Sequence, residues 1–167
     1  LGLCAHQKMA ILSQTNKEWH FLDIGGLCAR LTIVPVYPNL TAPEVEYILN
    51  HSSSSAVVIE NEVQFKKILE IQNELKDLKV VIALKSIDEA LVEKLSTNII
   101  FKTYQELLTI GAEEKIHTPK LIEDQITQSD LNDMASIIYT SGTTGVPKGA
   151  VITHKAFVAM LNNVYTS

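Results

Sequence analysis

Residues 31–60, LTIVPVYPNLTAPEVEYILNHSSSSAVVIE, read as a complete strand, helix and strand in succession. Thr32–Val36 and Ala56–Glu60 are apolar without alternation, the pattern of strands buried on both faces of a parallel sheet. Between them, Thr41 and Glu44 have the spacing of a capping box, in which a hydroxyl and a carboxylate satisfy each other's orphan backbone N–H groups. Val45, Ile48 and Leu49 then lay one apolar stripe along the helix that follows. Strand, crossover helix and strand predict an α/β fold, a mostly parallel sheet flanked by helices.

The same rhythm continues in both directions. Met9–Ser13, Val80–Leu84, Asn98–Phe101, Ser136–Thr140 and Gly149–Thr153 are further strand candidates. Thr15 with Glu18, Ser86 with Glu89, and Thr103 with Glu106 repeat the capping spacing. After Glu62, the positions Phe65, Ile68, Leu69 and Gln72 share a helix face, with Lys66, Lys67 and Glu70 outside. Two segments break the pattern. Gly25-Gly26 falls inside the first helix, each glycine costing it about 1 kcal/mol relative to alanine. Gly111 to Asn132 is polar and aperiodic, which predicts a connection with one short strand near Leu121.

Composition bounds the rest. The chain has 167 residues, the size of one domain, and 46% of them are hydrophobic against 20% charged, a globular balance. Fourteen basic residues against 19 acidic leave a net charge of −5, which excludes a protein that coats nucleic acid by neutralising its phosphates. No apolar run reaches the length of a membrane span, and no basic-then-apolar start resembles a signal peptide. Without such a signal, the glycosylation sequons at Asn39 to Thr41 and Asn50 to Ser52 are discounted. Cys4 and Cys28 lack metal spacing and sit among apolar residues, so they are expected to be reduced core residues of a cytosolic protein.

One stretch carries chemistry: Ser136-Ile-Ile-Tyr-Thr-Ser-Gly-Thr-Thr-Gly-Val-Pro-Lys-Gly-Ala-Val151. A buried strand runs into a loop of glycines and hydroxyls, then into Lys148 and a second strand. Glycine lets a backbone approach a ligand closely, and Thr140, Ser141, Thr143 and Thr144 add hydroxyl donors to successive N–H groups. Such a loop can cradle phosphates, with Lys148 as a point charge and Pro147 restricting the backbone beside it. The Walker pattern is not met, since Pro147 precedes the lysine and Gly149 follows it. An ordinary hairpin loop has the same composition, and from composition alone both readings stand.

Tyr139 to Gly149, followed by Val151-Ile-Thr-His154, resembles the signature loop of the adenylate-forming superfamily of acyl-CoA synthetases, peptide-synthetase adenylation domains and luciferases. The resemblance extends over Met9 to Ser13, Glu18-Trp19, Val34 to Pro38 and Glu46 to Asn50, and is to the long-chain fatty acyl-CoA synthetase branch. It implies that residues 1–167 are an incomplete amino-terminal portion of that family's large domain, with the phosphate loop at 140–149 and the remainder of the enzyme absent. The implied reaction uses ATP and Mg2+ to turn a carboxylic acid into an acyl-adenylate, which coenzyme A then converts to a thioester. Thr140, Ser141, Gly142, Thr143, Thr144, Gly145 and Lys148 would bind the nucleotide, with Lys148 catalytic; no metal ligand is assigned.

The implied partners are ATP and the acid, with no nucleic acid. The implied location is cytoplasmic, with a peripheral contact of the parent protein at the inner face of a membrane. The fragment alone is expected to be inactive and to self-associate. The alternatives are a non-catalytic nucleotide- or partner-binding module and an adenylation domain serving a carrier protein. The family often has glycine where Arg30 stands, and its adenine, ribose and carboxy-terminal lysine motifs are not found among these residues. His154 reads as a helix start, Trp19 as core, and Asp130 with Asp133 as helix capping. His6, His20, His51 and His117 receive no role.

Overall fold

In the computed structural model, which describes residues 1–140 and 146–165, each of the seven strand candidates named above is a strand, within about two residues at either end. The chain runs β1 (Lys8–Leu12), α1 (Lys17–Cys28), β2 (Thr32–Val36), α2 (Ala42–Ser52), β3 (Ser54–Ile59), α3 (Glu62–Ile71) and β4 (Val80–Ala83). It continues through α4 (Glu89–Val92), β5 (Ile100–Thr103), α5 (Tyr104–His117), α6 (Leu121–Thr127), β6 (Met134–Thr140), β7 (Lys148–Thr153) and α7 (His154–Tyr165). The strands form a seven-stranded sheet in the order β5-β4-β3-β1-β2-β6-β7. Neighbours are parallel except β6 and β7, which pair antiparallel as a hairpin.

Burial on both faces explains why the strands do not alternate. On one face Leu12, Val34, Val57, Ile59 and Val81 pack under α2 and α3, with Phe65 at the centre. On the other, Met9, Ile11, Ile33, Val58 and Ile82 pack with Leu22 and Trp19 of α1 and with Tyr104 and Leu107 of α5. β6 joins β2 at Ser136 and Ile33, and buried hydroxyls fasten the join. Thr32 Oγ1 donates to the Met134 carbonyl at 3.0 Å, and Ser136 Oγ to the Ile33 carbonyl at 3.0 Å.

Several sequence expectations need correction. α1 is capped by Asn16, whose side chain accepts from the Trp19 N–H at 2.8 Å, one position after the expected Thr15. α4 is capped by Asp88, which accepts from Ala90 N–H at 2.9 Å, rather than by Ser86. The boxes at Thr41 and Thr103 do form: Glu44 accepts from the Thr41 N–H at 2.7 Å, and Glu106 from the Thr103 N–H at 2.8 Å. Two glycines do not interrupt α1. Gly26 lets the helix lie against the sheet, because a Cβ there would stand 2.5 Å from Ile33 Cδ1 and 2.9 Å from Met9 Cε.

Residues 111–132 are helical in α5 and α6, with no strand at Leu121. The periodicity failed there because neither helix buries a residue fully, so no apolar stripe was needed. Cys4 is exposed and Cys28 partly buried, so neither is a core residue. Lys67 is not on the outside: its ammonium donates to the Pro38 and Leu40 carbonyls at 2.8 and 2.7 Å, pinning the β2–α2 loop. Arg30 has φ +59°, in the left-handed region that glycine occupies most readily.

Candidate nucleotide-phosphate site

β6 carries the site to the carboxyl end of the sheet. Along it, Ile137 and Tyr139 turn into the α2–α3 core while Ile138 and Thr140 are exposed, the alternation a strand imposes. The chain returns as β7, whose first residue, Lys148, pairs with Thr140 across the ladder. Both ends of the motif therefore stand exposed and opposite each other at the mouth of the hairpin. Lys148 makes no ion pair with any described residue. Ser141, Gly142, Thr143, Thr144 and Gly145 lie outside the described residues.

The base of the hairpin is gripped by α2. Tyr47 Oη donates to the Pro147 carbonyl at 3.0 Å. His51, one turn on, stacks on Tyr47 with ring centroids 5.3 Å apart, and its Nδ1 shares a 2.7 Å hydrogen bond with Tyr139 Oη. Burial, reinforced by the neighbouring Tyr47, pushes the Tyr139 phenol above its ordinary pKa. The Tyr139 ring lies across Gly149, where a Cβ would come within 3.1 Å of it and 2.8 Å of Ile137 Cγ2. Pro147, Tyr47, Tyr139 and Thr140 line a cleft of about 610 Å³ against α2, which Pro43 and Glu44 help to close. Tyr139 also borders a second cleft of about 340 Å³, beside Ser13 and Trp19.

At the neighbouring carboxyl ends of β1 and β3, where the strand order reverses, the crevice is occupied by protein. Glu60 accepts from the Gln14 N–H at 3.1 Å and from Lys85 Nζ at 2.6 Å. The Lys85 hydrogen bond is the main reason its carboxyl is held below the usual range. Topological switch points are favoured ligand positions in open α/β sheets, and here the Glu60 clasp spans that point.

The sequence profile of the AMP-binding enzyme family matches residues 1–167. The chain belongs to that family. It is 34% identical over 155 residues to the long-chain-fatty-acid–CoA ligase ACSBG2 of Xenopus laevis, covering 92% of this chain and 20% of the ligase. Against long-chain-fatty-acid–CoA ligase 6 of Homo sapiens it is 28% identical over 159 residues, covering 93% and 22%. This AMP-binding enzyme chain thus spans about a fifth of the length of these curated relatives. The A-PCP didomain of the Segniliparus rugosus carboxylic acid reductase, solved with AMP, superposes with a TM-score of 0.71 at 18% identity, over 92% of this chain and 22% of that one. The anthranilate CoA ligase AuaEII, solved with anthranoyl-AMP, superposes at 0.66 and 25% identity, over 92% and 26%.

Within the AMP-binding enzyme frame, the other sequence candidates fall away from the hairpin mouth. His154 opens α7, its N–H donating to the Asp133 carbonyl at 3.2 Å. Asp130 and Asp133 close a turn rather than cap a helix: Asp130 Oδ1 accepts from the Asn132 N–H at 2.7 Å, and Asp133 lies 3.8 Å from both Arg30 and His6. Trp19 packs on the α1 side of the core, as expected. His51, given no role from sequence, and Tyr47 are the residues sequence reasoning missed. Their spacing of four on one helix was visible, but the strand residues they reach are distant in sequence. Among the described residues no group of three or more His, Cys, Asp or Glu could hold a metal ion.

Proposed function

We propose that these residues supply the triphosphate-binding part of an enzyme that activates a carboxylic acid, with a long-chain fatty acid as the substrate and coenzyme A as the acceptor. The observation that carries this is the opposed pair Thr140 and Lys148, exposed at the mouth of a braced hairpin at the carboxyl end of a parallel sheet. Family membership and the relatives named as long-chain-fatty-acid–CoA ligases support the reaction class. In that reaction a carboxylate oxygen attacks the α-phosphorus of ATP, the bond to pyrophosphate breaks, and the thiol of coenzyme A then displaces AMP.

Charge grows on the β- and γ-oxygens as that bond breaks. The Lys148 ammonium and the Thr140 hydroxyl would meet it, stabilising the leaving pyrophosphate electrostatically and holding it in line. Magnesium would arrive with the nucleotide phosphates, because the described side chains offer it no cage. The reading assigns residues 1–167 to the amino-terminal portion of the large domain. It includes a cytoplasmic protein that touches the inner face of a membrane peripherally, where a long-chain acid partitions. No described helix is long and apolar enough to cross a membrane.

The test is Lys148→Ala in the complete polypeptide that contains these residues. Losing one such contact costs about 2.7–4 kcal/mol in comparable oxyanion sites, so kcat/KM for ATP should fall by roughly two orders of magnitude. The side chain is exposed, so the unfolding free energy should move by no more than about 0.5 kcal/mol. Unchanged ATP kinetics, or a loss matched by a collapsed melting temperature, would remove Lys148 from a phosphate site.

A further inference from the structure

We propose that Tyr47, supported by His51 and Tyr139, is a positioning residue that sets the direction in which Lys148 leaves the backbone, so that α2 aims the lysine at the nucleotide phosphates. The inference rests on the phosphate-site reading above and adds to it a residue about a hundred positions away in sequence.

The argument begins with the peptide unit between Pro147 and Lys148. The proline ring fixes φ at 147, and the planar peptide bond makes its carbonyl and the Lys148 N–H one rigid group. Rotation of that group about ψ of Pro147 is the soft motion left on the exit side of the loop. The Tyr47 hydroxyl donates to this carbonyl at 3.0 Å and so opposes that rotation. Lys148 then enters β7 opposite Thr140 in the terminal pair of the ladder, so the peptide plane held by Tyr47 and this last pairing together fix where its side chain starts.

Tyr47 itself is held. It stands on α2, whose Val45, Ile48 and Leu49 are buried in the core, and its ring stacks on His51 at an interplanar angle of 29°. His51 bonds to Tyr139 at 2.7 Å, and the Tyr139 ring is trapped over Gly149. Two side chains one helical turn apart therefore grip both flanks of the motif, Pro147 just before the exit strand and Tyr139 on the entry strand. β7 is an edge strand, with β6 as its one neighbour in the sheet, and α2 holds the residue just before it. The Tyr47 hydroxyl is spent on the Pro147 carbonyl, while its ring lines the cleft wall.

The experiment is a double-mutant cycle in the complete polypeptide that contains these residues, with ATP binding measured by calorimetry and KM for ATP and kcat measured separately. Tyr47→Phe deletes one oxygen and keeps the stacked ring. It should weaken ATP binding and raise KM roughly three- to tenfold, the range of one net hydrogen bond, with an unchanged melting temperature. In a Lys148→Ala background the same substitution should change binding by less than about twofold, because the group it aims is gone. Should Tyr47→Phe not fold, the cycle is run with His51→Phe, which keeps a stacked ring but deletes the contact to Tyr139, and the same loss and the same cancellation are expected.

If Lys148→Ala weakens ATP binding while the α2 variant does not, the positioning role is overturned and the phosphate site stands. An α2 variant that weakens binding equally in both backgrounds also overturns it, since the effect then does not pass through the lysine. If Lys148→Ala leaves ATP binding unchanged, the phosphate-site reading falls and the positioning role falls with it.

Discussion

Gly149 has no side chain because the Tyr139 ring and Ile137 occupy the place of one. Cross-strand from Tyr139, it lets an aromatic ring lie flat over the ladder, an arrangement in which the ring covers a backbone that glycine leaves bare. Gly149→Ala should therefore displace Tyr139 from His51 and destabilise the protein by about 1–3 kcal/mol, the cost of overpacking a filled site. Denaturant unfolding measures the loss. A variant as stable as wild type would mean that the ring moves aside freely and that the grip on the hairpin is loose. Sequence showed this glycine as part of a loop motif. That its role is to admit a ring from the opposite strand was not legible, because the pairing of position 139 with position 149 joins two different strands.

At the level of single elements, the adjacent glycines of α1 make a clean contrast. Gly25 has open space where its Cβ would stand, whereas Gly26 has Ile33 and Met9. Gly25→Ala should raise stability by about 0.5–1 kcal/mol through helix propensity alone. Gly26→Ala gains the same propensity but overpacks the sheet, so it should fall about 1–3 kcal/mol below its neighbour. Equal effects in thermal melts would contradict the close helix–sheet approach.

The α5 cap gives a pH signature. Glu106 accepts from the Thr103 N–H and hydroxyl and from Lys102, and the Thr103 backbone bond is the largest cause of its pKa falling to about 2. A carboxyl whose folded pKa is depressed adds stability that is complete above its unfolded value, about 4.3, and is lost as pH falls through the folded one. Glu106→Gln should accordingly flatten the stability profile between about pH 4.3 and about 2 and leave its shape above that window alone. An acid limb identical to wild type would show that the cap does not persist in solution. The Thr41 and Thr103 caps were readable because a capping box is a contact across three residues. Asn16 and Asp88 displaced Thr15 and Ser86 because polar residues one or two positions apart can each cap, and the path of the incoming chain chooses between them.

For the molecule as a whole, the hairpin end leaves apolar surface exposed beside an open sheet edge. Ile138 and Val151 are uncovered on the β6–β7 ribbon, Val158, Met160 and Leu161 are uncovered on α7, and β7 is a sheet edge. Apolar surface beside an open edge favours association, so residues 1–167 expressed alone should sediment as oligomers and bind an apolar dye. On the proposed reading they should also release no pyrophosphate above blank from ATP, magnesium and fatty acids, because holding the phosphates does not by itself align the acid for attack. A clean monomer with full turnover would refute both expectations. By itself the sequence determined the α/β class, the place of all seven strands within about two residues, and the hairpin motif, since these are written in runs of neighbouring residues: unbroken apolar strands, capping pairs and a glycine-rich turn. The tertiary structure alone decided the order of the strands, the pinning of the β2–α2 loop by Lys67, the clasp of Glu60 across β1 and β3, and the convergence of Tyr47 and His51 on Tyr139 and Pro147. Those contacts join residues from about 25 to 100 positions apart, and a local pattern cannot encode which of many apolar faces and polar tips will meet once the chain closes over its core.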